Sequence, residues 1–130
     1  MTGVFAPDKL TARVFEDRVS LGFYNMDLHS IKDCEYDPFA QNYPLPFFLP
    51  ARAFSSNSVL NLLVTGRAMA QEFNASMATR THSTELSSGV ASMLMATYML
   101  GARIPSVWAL VQCDTCISEL QESIRRVMPI

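Results

Sequence analysis

Charge is scarce in this chain. Only 17% of its 130 residues are Asp, Glu, Lys or Arg, against 49% hydrophobic, and the net charge is −2. The apolar share excludes an intrinsically disordered chain. The charge deficit leaves thinner polar cover than a free-standing small domain carries. No basic field exists, which excludes electrostatic holding of nucleic acid or of an anionic membrane. Cysteine is rare too, at three positions, Cys34, Cys113 and Cys116. An odd, low count argues against a disulfide-stapled secreted domain, fits a reducing compartment and sets the expectation of a cytoplasmic protein. Residues 1–9 lack a basic segment leading into an apolar one, so no signal peptide is expected. The most apolar stretch, 89–102, is too short and too rich in Ser, Thr and Gly for a membrane span of about 20 apolar residues.

What is present divides into three zones. Residues 1–56 hold a strand-like run, Arg18-Val19-Ser20-Leu21-Gly22-Phe23-Tyr24, rich in aromatic and β-branched side chains. Asp27-Leu28-His29 and an acidic loop follow. The prolines of Tyr43-Pro44-Leu45-Pro46-Phe47-Phe48-Leu49-Pro50 forbid a helix and a central strand, leaving extended or edge structure. Phe47 and Phe48 are read as packing residues, with substrate contact as the alternative. Arg13 and Arg18 are read as a solvated face.

In zone 57–102, Val59-Leu60-Asn61-Leu62-Leu63-Val64-Thr65 is almost continuously apolar, the pattern of a strand covered on both faces. Gly66-Arg67 closes it. A helix is predicted from Thr84 or Glu85, with Ser83 or Thr84 as its cap. Leu86, Val90, Met93, Leu94, Tyr98 and Met99 recur along it at helical spacing. Ala91, Met95, Ala96 and Leu100 widen that stripe until burial on most sides is expected, with the methionines as core filler.

Zone 103–130 opens with a turn at Ile104-Pro105-Ser106-Val107. It closes in an amphipathic helix capped by Asp114 or Thr115. Ile117, Leu120, Ile124 and Val127 form one face, and Glu119, Gln121, Glu122, Arg125 and Arg126 the other. Cys113-Asp114-Thr115-Cys116 has the C-x-x-C spacing. A redox pair at a helix start is one reading, and a zinc site would need two more ligands.

A strand buried on both faces needs neighbours, and parallel neighbours arrive through crossover units of a dozen or more residues. The 58 residues before Val59 hold no such unit. Zone 57–102 therefore reads as the last strand and last helix of a larger doubly wound sheet.

Several motifs stand in order along the chain: Asp27-x-His29, then Tyr43-Pro44-Leu45-Pro46 through Leu49-Pro50, then Asn61-Leu62-Leu63-Val64-Thr65-Gly66-Arg67. Twelve residues separate Arg67 from Arg80, Gly89 follows nine positions later, and Ala91 comes next in the series. From about Ser20 to Val127 the series resembles the C-terminal part of the FAD-dependent oxidoreductase family related to the glutathione-reductase-like flavoproteins. The resemblance implies an α/β (or α+β) fragment. It would comprise the last strand and helix of a Rossmann-like FAD-binding domain, part of a β-rich substrate-side layer and a closing amphipathic helix. It implies FAD as cofactor and an organic small-molecule substrate; no metal is expected, since the C-x-x-C has no second pair of ligands. The resemblance also implies Asp114 as the cap of the closing helix, and with it the cysteines read as incidental. Gly66, Arg67, Arg80, Thr81, His82 and Gly89 are the cofactor-binding candidates it implies. Asp27 and His29 are the catalytic ones, as an acid/base or orienting pair. A loop-capping His29 and an ordinary pre-helix His82 are the alternatives.

The physics of the match stands apart from the family. A glycine after a buried strand lets the backbone approach a ligand closely. Ligands of open α/β sheets bind beyond the carboxyl ends of the strands. A helix start offers free N–H groups and a positive dipole end. Departures from the family pattern are also visible. Met93 stands where the family has the second glycine of G-x-A-A-G, Ser92 replaces an alanine, and Thr81-His82-Ser83 lacks the proline common after the arginine. No G-x-G-x-x-G follows a strand, so FAD is not expected to be held by this chain alone. A missing N-terminal FAD-binding portion or a partner chain is implied. The rival readings are a non-catalytic remnant or interaction module, and a self-contained α+β domain unrelated to flavin.

Overall fold

Strands form where the aromatic and β-branched residues cluster. Arg18–Tyr24 (β1) and Leu45–Pro50 (β2) pair antiparallel in a two-stranded sheet, with Leu21 opposite Phe48 and Gly22 opposite Phe47. The structure is a computed structural model that describes residues 12–24, 45–56 and 58–130. The proline-bearing segment is thus an extended strand, as its composition dictates. Phe47 and Leu49 point inward with Val19, and all three are buried. Gly22 is required by this packing. A Cβ there would overlap the Phe47 ring, so only a glycine lets that ring lie across β1. Arg18 and Arg13 are not simply solvated, since their guanidinium carbons lie 5.6 Å from the Phe48 ring and 5.1 Å from the Phe15 ring. Beyond β2 a 3-10 turn, Ala51–Phe54, is held by buried Asp17. The Asp17 carboxylate accepts from the Arg52 guanidinium at 2.7 Å and from the Arg52 backbone N–H at 3.2 Å.

The expected buried strand at 59–65 is corrected by the structure. It makes one isolated bridge, Ser55 to Leu63, and the Val64 N–H donates to the Phe54 carbonyl at 2.8 Å. Val59, Leu60 and Leu62 are exposed, Leu60 at 64%. A continuous apolar run becomes a strand only when a neighbour offers a full row of N–H and C=O groups. Among the described residues no such row lies beside it.

Four helices follow: Phe73–Thr79 (α1), His82–Gly101 (α2), Val107–Val111 (α3) and Asp114–Arg125 (α4). α2 begins earlier than its apolar periodicity predicts, and its N-cap is Thr81, without a side-chain cap bond. Ser83 and Thr84 are inside the helix. The expected burial on most sides is also corrected. Thr84, Ser88, Ala91, Met95 and Met99 form one buried stripe. Leu86, Met93 and Leu100, seven positions apart, stand 73%, 64% and 80% exposed on another face.

Ile104, Pro105 and Ser106 stay outside the helices, and α3, a helix the sequence pattern does not predict, starts at Val107. Ser106 caps it, its hydroxyl accepting from the Ala109 N–H at 3.1 Å. In α4, Ile117, Leu120 and Ile124 are buried as predicted, but Val127 falls beyond the end of the helix and is exposed. Gln121, expected on the polar face, is buried, and its amide donates to the Glu16 and Arg18 carbonyls at 2.6 and 3.1 Å. That bond pair anchors α4 to the start of β1, where two carbonyls need donors. Residues of all three sequence zones thus meet in one core, from Val19 and Phe47 through Ala91 and Met95 to Leu120 and Ile124. Helices beside a small antiparallel sheet make this a mixed α and β chain.

Candidate functional site

The chemistry-bearing residues of the middle zone gather at the start of α2. A 3-10 turn, Gly66–Ala68, packs against that end. Gly66 has φ +58, in the left-handed region that favours glycine. A Cβ at Gly66 would come within 3.1 Å of the Glu85 side chain, so the turn can approach α2 only without one. The Gly66 N–H donates to the Ser88 hydroxyl at 3.2 Å, and that hydroxyl donates in turn to the Glu85 carbonyl at 3.0 Å. Buried Ser88 is therefore the peg that fixes the turn on the helix.

Glu85 organises the exposed side of the same end. Its carboxylate lies 3.6 Å from Arg67 Nε and 3.2 Å from His82 Nδ1. Exposed pairs of this kind are worth about 0.2–1 kcal/mol, so their main effect is orientation. The Arg67 side chain remains 71% exposed and that of His82 99% exposed. Thr81 Oγ1 contacts Ser83 Oγ at 3.1 Å and buried Thr84 Oγ1 at 3.2 Å. Thr81 does not cap the helix with its side chain, so the positive end of α2 carries no side-chain cap from its N-cap residue. On the inner side the Ser87 hydroxyl donates to the Leu21 carbonyl at 2.8 Å, tying this end of α2 to β1. Such an arrangement sets a positive helix end and a glycine turn beside Arg67, with the Glu85 carboxylate between Arg67 and His82.

Gly66, Arg67, Thr81 and His82 come together in this cluster. Arg80 is the adjoining C-cap residue of α1. Gly89 does not join them. It sits about 10 Å further along the α2 axis, and a Cβ there would meet nothing within 4 Å. Asp27 and His29 lie outside the described residues. Glu85 and Ser88 belong to the cluster and were not singled out as site residues from sequence. The spacing His82-x-x-Glu85 was the available signal, since positions three apart share a helix face.

At the other end of the chain Cys113 and Cys116 are joined by a disulfide, which corrects their reading as incidental. Cys113, not Asp114 or Thr115, caps α4, its sulfur accepting from the Cys116 N–H at 3.3 Å. Among the described residues no group of three or more His, Cys, Asp or Glu could hold a metal ion. No helix among them is long and apolar enough to cross a membrane.

Comparison with known proteins adds one match. The family described as FAD dependent oxidoreductase has a model that matches residues 2–124. No curated protein and no solved structure matches the chain.

Proposed function

This chain belongs to the FAD-dependent oxidoreductase family, and from that premise we propose that it is the C-terminal portion of such an enzyme, with the start of α2 and the Gly66 turn forming one edge of the flavin pocket. FAD is the cofactor the family implies. The supporting observation is the cluster itself, in which a left-handed glycine, a helix N-terminus without a side-chain cap, Arg67 and His82 meet around Glu85. Those groups suit the pyrimidine edge of a flavin, where negative charge accumulates on reduction. They do not suit its diphosphate, which asks for a glycine-rich turn between strand and helix that the sequence lacks.

When bound, the flavin supplies hydride exchange with an organic small-molecule substrate. This chain's part is to bind and orient. The N–H groups at the start of α2 and the Arg67 guanidinium favour negative charge at the ring edge. Glu85 holds Arg67 and His82 in place. Ser88 keeps the turn docked, so the backbone at Gly66 stays close to the ring. Arg80 and Gly89 are carried in the proposal on motif grounds, as are Asp27 and His29 in their catalytic or orienting role. The zones 1–56, 57–102 and 103–130 correspond to a substrate-side end, the last strand–loop–helix of the FAD-binding domain and a closing segment.

The uncovered apolar surface supports the missing-wall part of the reading. Leu86, Met93 and Leu100 on α2, with Val59, Leu60 and Leu62 before the turn, are the residues a Rossmann-like sheet would cover. A cytoplasmic setting belongs to the same proposal, on the low cysteine count.

The test is to co-express the chain with a flavoprotein segment carrying G-x-G-x-x-G and purify the complex. Flavin absorbance is expected to co-purify. Arg67→Ala is expected to lower flavin occupancy about tenfold, the loss of one charge-assisted contact. A complex that forms and stays colourless favours the second reading, a non-catalytic interaction module. Met93, bulky and exposed where the family has glycine, is the observation behind that alternative.

A further inference from the structure

The Cys113–Cys116 bridge has no part in the flavin reading. We propose that it is a redox-active pair that exchanges electrons with disulfides and dithiols, with Cys113 as the attacking sulfur. The two cysteines are bonded across the first turn of the twelve-residue helix α4. A bridge inside one turn joins no distant elements and closes a very short loop, so it constrains the unfolded chain least of all. Both cysteines are half-buried, and Gln112, Asp114 and Thr115 around them are exposed. A partner sulfur can reach this corner.

The surroundings distinguish the two sulfurs. Cys113 Sγ accepts from the Cys116 N–H at 3.3 Å and lies 3.3 Å from the Thr115 hydroxyl. It is also the N-cap of α4, at the positive end of the helix. Once the bridge opens, two donors and the helix end hold a thiolate on Cys113. The Asp114 carboxylate, next in sequence, is the opposing charge. Cys116 packs instead against the core, the place of a resolving thiol. α4 meets α2 toward the end far from the Gly66 cluster. Tyr98 donates to Glu119 of α4 at 2.8 Å, and Tyr98 is about 24 Å along α2 from His82.

In the exchange, the Cys113 thiolate attacks one sulfur of a substrate disulfide. The substrate S–S bond breaks, one thiolate leaves, and a mixed disulfide forms. Cys116, losing its proton, attacks Cys113, re-forms the Cys113–Cys116 bond and releases the second thiolate. Two electrons pass from the cysteines to the substrate, which takes up two protons. A dithiol drives the same steps in reverse. In a reducing compartment, bridges of this kind are the transient, cycling ones.

The experiment uses the full chain, dithiothreitol as reductant and hydroxyethyl disulfide as oxidant, with alkylation and peptide mass mapping as readout. Dithiothreitol is expected to open the bridge without loss of far-ultraviolet circular dichroism, and hydroxyethyl disulfide to close it again. In Cys116→Ala, Cys113 is expected to alkylate about tenfold faster at pH 7 than Cys116 does in Cys113→Ala. Thr115→Val should slow Cys113 roughly threefold, and Thr115→Ser should restore it. If the single-cysteine variants misfold, the order of labelling in the briefly reduced, unsubstituted chain decides, with Cys113 labelled first. A bridge that opens only on unfolding, or equal labelling of both cysteines, overturns the proposal.

Discussion

Two apolar segments of this chain have opposite fates. Leu45–Pro50 carries two prolines, the residue least suited to a sheet, yet it pairs with β1 and buries Phe47 and Leu49. Segment 59–65 has no proline and a nearly unbroken run of aliphatic residues, yet it makes one bridge and leaves Val59, Leu60 and Leu62 exposed. Hydrophobicity therefore does not decide which of them is buried. The difference is the neighbour. β2 has β1 opposite it, with Gly22 opening space for a ring, while 59–65 finds among the described residues a backbone partner just at the end of a 3-10 turn and sends Leu63 alone of its leucines against the core. The outer face of α2 repeats the lesson, since its stripe at 86, 93 and 100 is as apolar as its inner one.

The comparison can be broken most forcefully at its buried member. Phe47→Ala empties the centre of the small sheet and should cost about 3–5 kcal/mol in urea unfolding. An effect below about 1 kcal/mol would mean that β2 is not a core strand. Gly22→Ala tests the same packing from across the sheet. Overlap with the Phe47 ring should cost about 1–3 kcal/mol, and Phe47→Leu in the same chain should recover part of that loss. A smaller change sharpens the exposed member. Leu60→Ser should alter the unfolding free energy by less than about 0.5 kcal/mol, while reducing self-association in sedimentation. Destabilisation comparable to Phe47→Ala would place Leu60 in the core.

The smallest effect is electrostatic and lies where α2 meets α4. Desolvation, followed by the hydrogen bond and charge of Glu119, raises the Tyr98 hydroxyl above its usual value. A raised folded value means that the neutral form is favoured in the fold. Its contribution is complete below the unfolded value near 10 and is lost as pH rises through the folded one. Unfolding curves of the parent should weaken slightly above that point, and Tyr98→Phe should flatten this part of the pH profile.

Much of the candidate site could be read in the residues. The Gly66-Arg67 pair and the spacing to Arg80-Thr81-His82 read as one group, and the structure brings Gly66, Arg67, Thr81 and His82 together, although the helix is predicted to start only at Thr84 or Glu85. Such a cluster is local: a glycine turn and one helix end bring it together with short-range contacts. Glu85 was visible only as a candidate first residue of the helix, because its role in the cluster depends on Gly66 folding back from nineteen positions earlier. Ser88 and Gln121 were hidden for the same reason. A polar residue on a helix shows its face, but not the backbone N–H or carbonyl that will meet it.

Local chemistry in the chain was enough for β1, for the extended state of a proline-rich segment, for the long helix and for the amphipathic closing one. These follow from side-chain shape, fixed φ and periodicity, which act over a few residues. Tertiary contact alone settled which apolar faces found cover and which polar side chains were drawn inside. Burial and bonding need a partner brought from elsewhere in the fold, and no short stretch of sequence carries the position of its partner.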